Sequence, residues 1–181
     1  MSDLASPAIA QLNAFLRSEI VAVGTYHRAL RRVKAPGARA TLHACARSHA
    51  HRVECLRVAI VRLGGTPTYG SGALRAVARW FEHGARALRG ERAADALARG
   101  EDRRLRDYRD RLGRLDGRAR ELVEGVLLPA QEWTRRAVQA LKKTPQGAAA
   151  ARPSESAGPG VSAPALAAQR RASQNCTVPG A

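Results

Sequence analysis

Lysine is almost missing from this chain. Of its 31 basic residues only Lys34, Lys142 and Lys143 are lysines, which leaves 28 arginines. Acids are scarce as well: 15 against 31, for a net charge of +16. Aromatics make up 4% of the chain, and there are three cysteines. Each shortage excludes something. No run of eighteen apolar residues exists, so no transmembrane helix is expected. Residues 1–7 lack a basic segment followed by an apolar one, so no secretory signal is expected. Cys45 and Cys55 stand ten residues apart on one expected helix, about 15 Å by helical rise, too far to bridge. With no disulfide framework, a cytoplasmic location is the expectation. No stretch alternates apolar and polar residues with β-branched enrichment, so no strand is predicted. The phosphate loop after a strand, the Gly-x-Ser-x-Gly turn and the Cys-x-x-Cys pair are all lacking.

What is present is helix-forming material. The chain is 45% hydrophobic, drawn mostly from Ala, Leu and Val. Ala and Leu lead the helix propensities, with Arg close behind. Its 181 residues suit one domain with a tail. Residues 1–143 carry the apolar periodicity. Residues 144–181, rich in Ala, Pro, Gly and Ser without periodicity, are expected to be disordered.

Ser6-Pro7 predicts a helix start, and Lys34-Ala35-Pro36-Gly37 a stop after Val33. The inward seam is Leu12, Leu16, Val23, Tyr26, Leu30 and Val33, with Glu19 filling a gap in the register. A second helix is predicted from Ala38 to Leu63, closed by Gly64-Gly65-Thr66-Pro67. Its seam is Leu42, Ala46, Val53, Leu56, Ile60 and Leu63, with a gap at His49. His51, Glu54, Val58 and Val61 lie alongside. A shorter crossover helix is expected over 73–88. The next helix is expected over 91–115, with Leu97, Leu105, Tyr108 and Leu112 inward and its gap at Glu101. The last, over 118–143, carries Val123, Leu127, Thr134 and Leu141, and Pro129 is expected to bend it. Short breaks imply antiparallel neighbours, giving two helical hairpins joined by a crossover.

Three seam positions are therefore ionisable: Glu19, His49 and Glu101. A lone buried carboxylate needs a partner, a proton or a metal. The first 81 residues hold only three acids, Asp3, Glu19 and Glu54, so an acid in the apolar stripe is conspicuous. Ferritin-like di-metal sites take one Glu from each of two helices and a Glu-x-x-His pair from each of the other two. Here Glu19 and Glu101 fit the single carboxylates. The second helix offers His49, His51 and Glu54, and the last offers Glu124, Gln131 and Glu132 but no His. The candidate metal ligands are thus Glu19, His49, His51, Glu54, Glu101 and Glu124, for iron or manganese, in an incomplete set. The competing reading pairs Glu19 and Glu101 with an Arg or with His49 across the bundle. Cys45 and His49, four residues apart, read better as a packed pair than as an activated thiol.

The chain resembles a bacterial family of ferritin-like four-helix-bundle proteins defined only as a domain of unknown function. The resemblance rests on Leu12-Asn13 through Glu19, Leu63-Gly64-Gly65-Thr66-Pro67, Gly72-Ala73-Leu74, Arg99-Gly100-Glu101-Asp102 and Leu122-Val123-Glu124, and spans residues 10–143. It implies an all-α, ferritin-like antiparallel bundle and no established activity. Three functional readings stand open. One is a non-enzymatic structural or stress-related interaction protein that self-associates. Another is a di-iron or di-manganese oxidase or peroxide-detoxifying protein. The third is a polyanion binder using Arg28, Arg31, Arg32, Arg57 and Arg62, since residues 1–143 hold 28 basic and 14 acidic side chains.

Overall fold

The computed structural model describes residues 6–68, 92–115 and 117–143, and among them there is no strand. Helix α1 spans Pro7–Leu30 and α2 spans Pro36–Arg62. Helix α3 spans Arg92–Arg111 and ends in a 3-10 turn, Leu112–Arg114. The fourth long stretch consists of α4 (Gly117–Leu122), a π-helical turn (Val123–Leu127) and α5 (Leu128–Lys143). No described helix is long and apolar enough to cross a membrane. The expected crossover helix over 73–88 and the tail over 144–181 lie outside the described residues.

The helix ends follow local chemistry. Proline occupies the first position of both α1 and α2, where a missing amide hydrogen costs nothing. Helix α1 stops at Leu30, three residues before the expected Val33. There Arg39 donates to the carbonyls of Leu30 (2.5 Å) and Val33 (3.1 Å), satisfying acceptors at the end of α1 and tying the turn to α2. Helix α2 closes on two glycine amides: Gly64 bonds Val61 O at 2.9 Å and Gly65 bonds Ile60 O at 2.9 Å. This paired pattern needs a left-handed residue, and Gly64 supplies it at φ 77°. Asn13 of α1 fastens the chain beyond, donating to Thr66 O at 3.1 Å and accepting from Thr68 N at 2.7 Å.

Gly65 sits against α1 so closely that a Cβ there would lie 2.6 Å from Ile9 Cγ2 and 3.2 Å from Ile60 Cγ2. Both neighbours are β-branched and stiff. Gly65→Ala is therefore expected to lower unfolding free energy by about 1–3 kcal/mol. Urea melts of the two proteins measure this, and equal midpoints would show that the two elements are not in contact.

Pro129 acts one turn upstream of itself. It has no hydrogen to give to Gly125 O, and its ring crowds that carbonyl. The helix widens there, and Leu128 N bonds Val123 O, five residues back. The bend expected at Pro129 thus takes the form of a π-helical turn.

Two apolar clusters fill the interior. One joins Leu12, Leu16, Leu56, Ile60, Tyr108, Leu115, Val123 and Leu127. The other joins Tyr26, Leu30, Leu42, Cys45, Leu97, Ala98 and Val138. The start of α1 thus meets the end of α2, and the end of α1 meets the start of α2. Helix α3 and the last stretch are matched end to end in the same way. Ion pairs follow that match: Asp95–Lys142 at 2.8 Å, Asp102–Arg135 at 2.5 Å and Arg109–Glu132 at 2.7 Å. Among the expected seam residues of α2, Leu63 is exposed at its end and Val53 is half-buried.

Candidate functional site

Between the two apolar clusters the interior is polar. Glu19, His49, Arg52, Glu101, Gln131 and Thr134 are each 0% exposed. Each sits on a helix face whose flanking turns are apolar, so the periodicity that builds the core also carries these side chains inward.

Glu19 Oε1 accepts from the Tyr108 hydroxyl at 2.8 Å. Its Oε2 accepts from Arg52 Nε at 3.0 Å and from His49 Nδ1 at 2.6 Å. Glu101 Oε1 accepts from the Tyr26 hydroxyl (3.0 Å), His49 Nε2 (3.1 Å) and Arg104 Nη1 (3.0 Å). Its Oε2 accepts from Gln131 Nε2 (2.8 Å) and the Thr134 hydroxyl (2.6 Å). Gln131 Nε2 also lies 3.0 Å from the Glu101 carbonyl, and the Thr134 hydroxyl 3.0 Å from the Gln131 carbonyl. The four long helical stretches meet through this one network.

The electrostatics are set by burial against charge. Burial alone would raise both carboxyls. For Glu19 the charges of Arg52 and then His49 outweigh it and bring the pKa down to about 2. For Glu101, His49 and Arg104 hold the carboxyl well below its usual range. The Arg52 cation, which burial would discourage, is held by Glu19. Burial first, then the adjoining carboxylates, push the Tyr26 and Tyr108 phenols up.

Two ionised carboxylates can only accept hydrogen bonds, and one faces each ring nitrogen of His49. Arg52 Nη2 lies 2.5 Å from His49 Nδ1, and both groups also reach Glu19 Oε2. The Tyr26 ring lies against the imidazole, 4.9 Å between centroids and tilted by 34°.

Of the six expected ligands the structure brings three together and leaves three out. Glu19, His49 and Glu101 converge. Glu54 is exposed and pairs with Arg57 at 3.0 Å. Glu124 is exposed and pairs with Arg120 at 3.0 Å. His51 is half-buried with Nε2 3.5 Å from Cys55 Sγ. These three point away because they stand off the inward face of their helices. Among the described residues no group of three or more His, Cys, Asp and Glu side chains is placed to hold a metal ion. The donor set agrees with that. Both His49 nitrogens are engaged, and a guanidinium lies among the carboxylates. Cys45 is buried, and burial followed by the charge of Glu101 pushes its thiol up to about 12, the opposite of an activated nucleophile.

Arg52 is the functional residue that the sequence did not single out. Its one signal is position: three residues after His49, it shares the inward face. Twenty-seven other arginines obscure that signal. Gln131 and Thr134 stand in the same relation on α5. Arg52 Nη1 and Gln131 Oε1 are buried without a hydrogen-bond partner among the described residues.

Over the described residues, fold and site together define a helical protein built around a buried ion-pair and hydrogen-bond network. Compared with protein families, curated proteins and solved structures, the chain finds no match in any of the three.

Proposed function

We propose that this chain is an antiparallel ferritin-like four-helix bundle in which a fixed internal cation replaces the di-metal centre. It acts as a non-enzymatic structural or interaction protein. The observation that carries this reading is the guanidinium of Arg52, fully buried against Glu19 and beside His49.

The ferritin-like ligand plan is Glu, Glu-x-x-His, Glu, Glu-x-x-His along the four helices. The chain reads Glu19, His49-x-x-Arg52, Glu101, Gln131-x-x-Thr134 at the matching places. Both single carboxylates are retained. Both i, i+3 pairs keep their spacing and lose their chemistry. A neutral amide and a hydroxyl stand on the last helix, and a permanent cation stands on the second. Arginine stays protonated at any physiological pH and cannot ligate a metal. Its charge stabilises the carboxylates that a metal would otherwise neutralise. The reading as a di-iron or di-manganese oxidase requires His49 to leave its carboxylate partners and Arg52 to leave the interior.

Titration of metal-stripped protein with Fe²⁺ under nitrogen, or with Mn²⁺, tests the proposal. The melting temperature is expected to stay within about 1 °C of its starting value, and oxygen uptake once air is admitted is expected to stay at the buffer rate. A site filled at a hundred times its Kd adds about 2.7 kcal/mol. That corresponds to a rise of about 5–10 °C for a chain of this length. Such a rise, with stoichiometric metal on the recovered protein, would overturn the reading. The quadruple variant H49E/R52H/Q131E/T134H restores the full ligand plan and is expected to gain metal-dependent stability that the parent lacks.

A further inference from the structure

Two of the three cysteines fall among the described residues, and they differ in state. Cys45 is a free thiol, buried in the cluster of Tyr26, Leu42 and Leu97. Cys55 is disulfide-bonded. The two stand about 15 Å apart along α2 by helical rise, beyond the reach of a disulfide, and the free state of Cys45 excludes that pairing independently. The chain has one cysteine more, Cys176. It belongs to residues 144–181, outside the described residues. Cys55 itself belongs to the apolar cluster of Leu12, Leu56 and Ile60 and is 2% exposed. One turn before it, His51 brings Nε2 to 3.5 Å from its sulfur.

We propose that Cys55 and Cys176 form an intramolecular disulfide, a redox-controlled tether between the C-terminal segment and α2. The co-reactant is a low-molecular-weight disulfide of the glutathione class. The Cys55 thiol gives its proton to His51, and the thiolate attacks one sulfur of that disulfide. A mixed disulfide forms on Cys55 and one glutathione thiolate leaves. The Cys176 thiolate then attacks the Cys55 sulfur and expels the second glutathione thiolate. Two protein thiols become one disulfide and one glutathione disulfide becomes two thiols. The two protons, one of them by way of His51, pass to the departing thiolates. Reduction runs the same steps backwards.

Elimination carries the pairing: a bonded Cys55 needs a second sulfur, Cys45 is free, and one cysteine is left. The bond closes a covalent loop that takes in α3 and α5. A long loop removes more freedom from the unfolded chain than a short one, so the bonded form gains resistance to unfolding. The sequence over 144–181 has no apolar periodicity of the kind that seats a helix on a bundle, and a covalent bond needs none. Reducing compartments keep protein thiols reduced, and disulfides that form there are transient and redox-sensing. The cytoplasmic location expected from sequence gives the tether that character.

Trypsin separates the three cysteines into three peptides, residues 40–47, 53–57 and 172–181, which makes a peptide map decisive. The full chain is reduced with a phosphine, moved into excess glutathione disulfide, quenched with N-ethylmaleimide in denaturant and digested without reductant. Peptides 53–57 and 172–181 should emerge joined and 40–47 should emerge alkylated. Before digestion the oxidised chain should weigh about 2 Da less than the reduced one, the two hydrogens lost. Dithiothreitol added before the quench should part the joined peptides and let all three cysteines take maleimide. The C176S variant leaves every described residue in place and should yield 53–57 with no protein partner. The H51Q variant should form the same bond severalfold more slowly, and an equal rate would overturn the route through His51. A Cys55 that ends alkylated or merely glutathionylated in the parent would overturn the proposal. So would a link that includes 40–47, or one found only in a covalent dimer on a non-reducing gel.

Discussion

Arg52→Met is expected to remove about 3–5 kcal/mol of folding free energy, the cost of leaving a buried charge without its partner. The reason lies in the surroundings of Glu19. Its carboxylate is 0% exposed and accepts from Arg52 Nε at 3.0 Å. Methionine fills much of the same volume but offers no charge. Glu19 then keeps only His49 and Tyr108, and must bury an under-compensated charge or take up a proton. Small domains have about 5–15 kcal/mol in total, so the variant should be unfolded in mild denaturant. A double-mutant cycle separates the pair from general packing. If Arg52 acts through Glu19, then E19Q/R52M should lose clearly less than the sum of E19Q and R52M. Additive losses would mean that Arg52 is only a space-filling residue. An R52M protein as stable as the parent would remove the basis for a structural cation altogether.

Acid should unfold the protein in a particular window. The Glu19 pKa is about 2 in the folded chain against an ordinary value of 4.5. A carboxyl lowered on folding adds stability that is complete above the unfolded pKa and is lost as pH falls through the folded one. The loss should therefore begin near pH 4.5 and continue to about pH 2, and Glu101 shifts in the same direction. For Glu19 it amounts to on the order of 3 kcal/mol. Urea unfolding at half-unit pH steps reads it out. Surface acids add their own slope, so the informative quantity is the difference between parent and variant. The E19Q protein should be less stable at pH 7 yet show a flatter dependence between pH 4.5 and 2. Parallel curves would show that Glu19 is not held ionised by its neighbours.

Much of the scaffold was legible in advance. Proline at the start of α1, Gly64-Gly65 at the end of α2 and the spacing of Leu12, Leu16, Tyr26 and Leu30 are local signals, and the helices follow them to within a few residues. The inward placement of Glu19, His49 and Glu101 was equally legible, because a gap in an apolar register occupies the same face as its neighbours. Leu63 departs from the register because it falls at the C-cap of α2, where the helix ends, and no described residue buries it. Val53 was expected inward and is half-buried, while its neighbour Arg52 is fully buried. A register of 3.5 residues drifts against a helix of 3.6, and one position is enough to exchange the two.

The sequence by itself determined the helices, their breaks, and which of their faces carries ionisable groups, because these depend on residues within one turn of each other. Only the tertiary structure decided what those groups meet. It set Arg52 against Glu19, gave His49 a carboxylate on each side, and left His51, Glu54 and Glu124 outside. The physical reason is that helical periodicity fixes a face but not the rotation of one helix against the next. In a chain with 28 arginines, nothing local distinguishes the one that packing encloses.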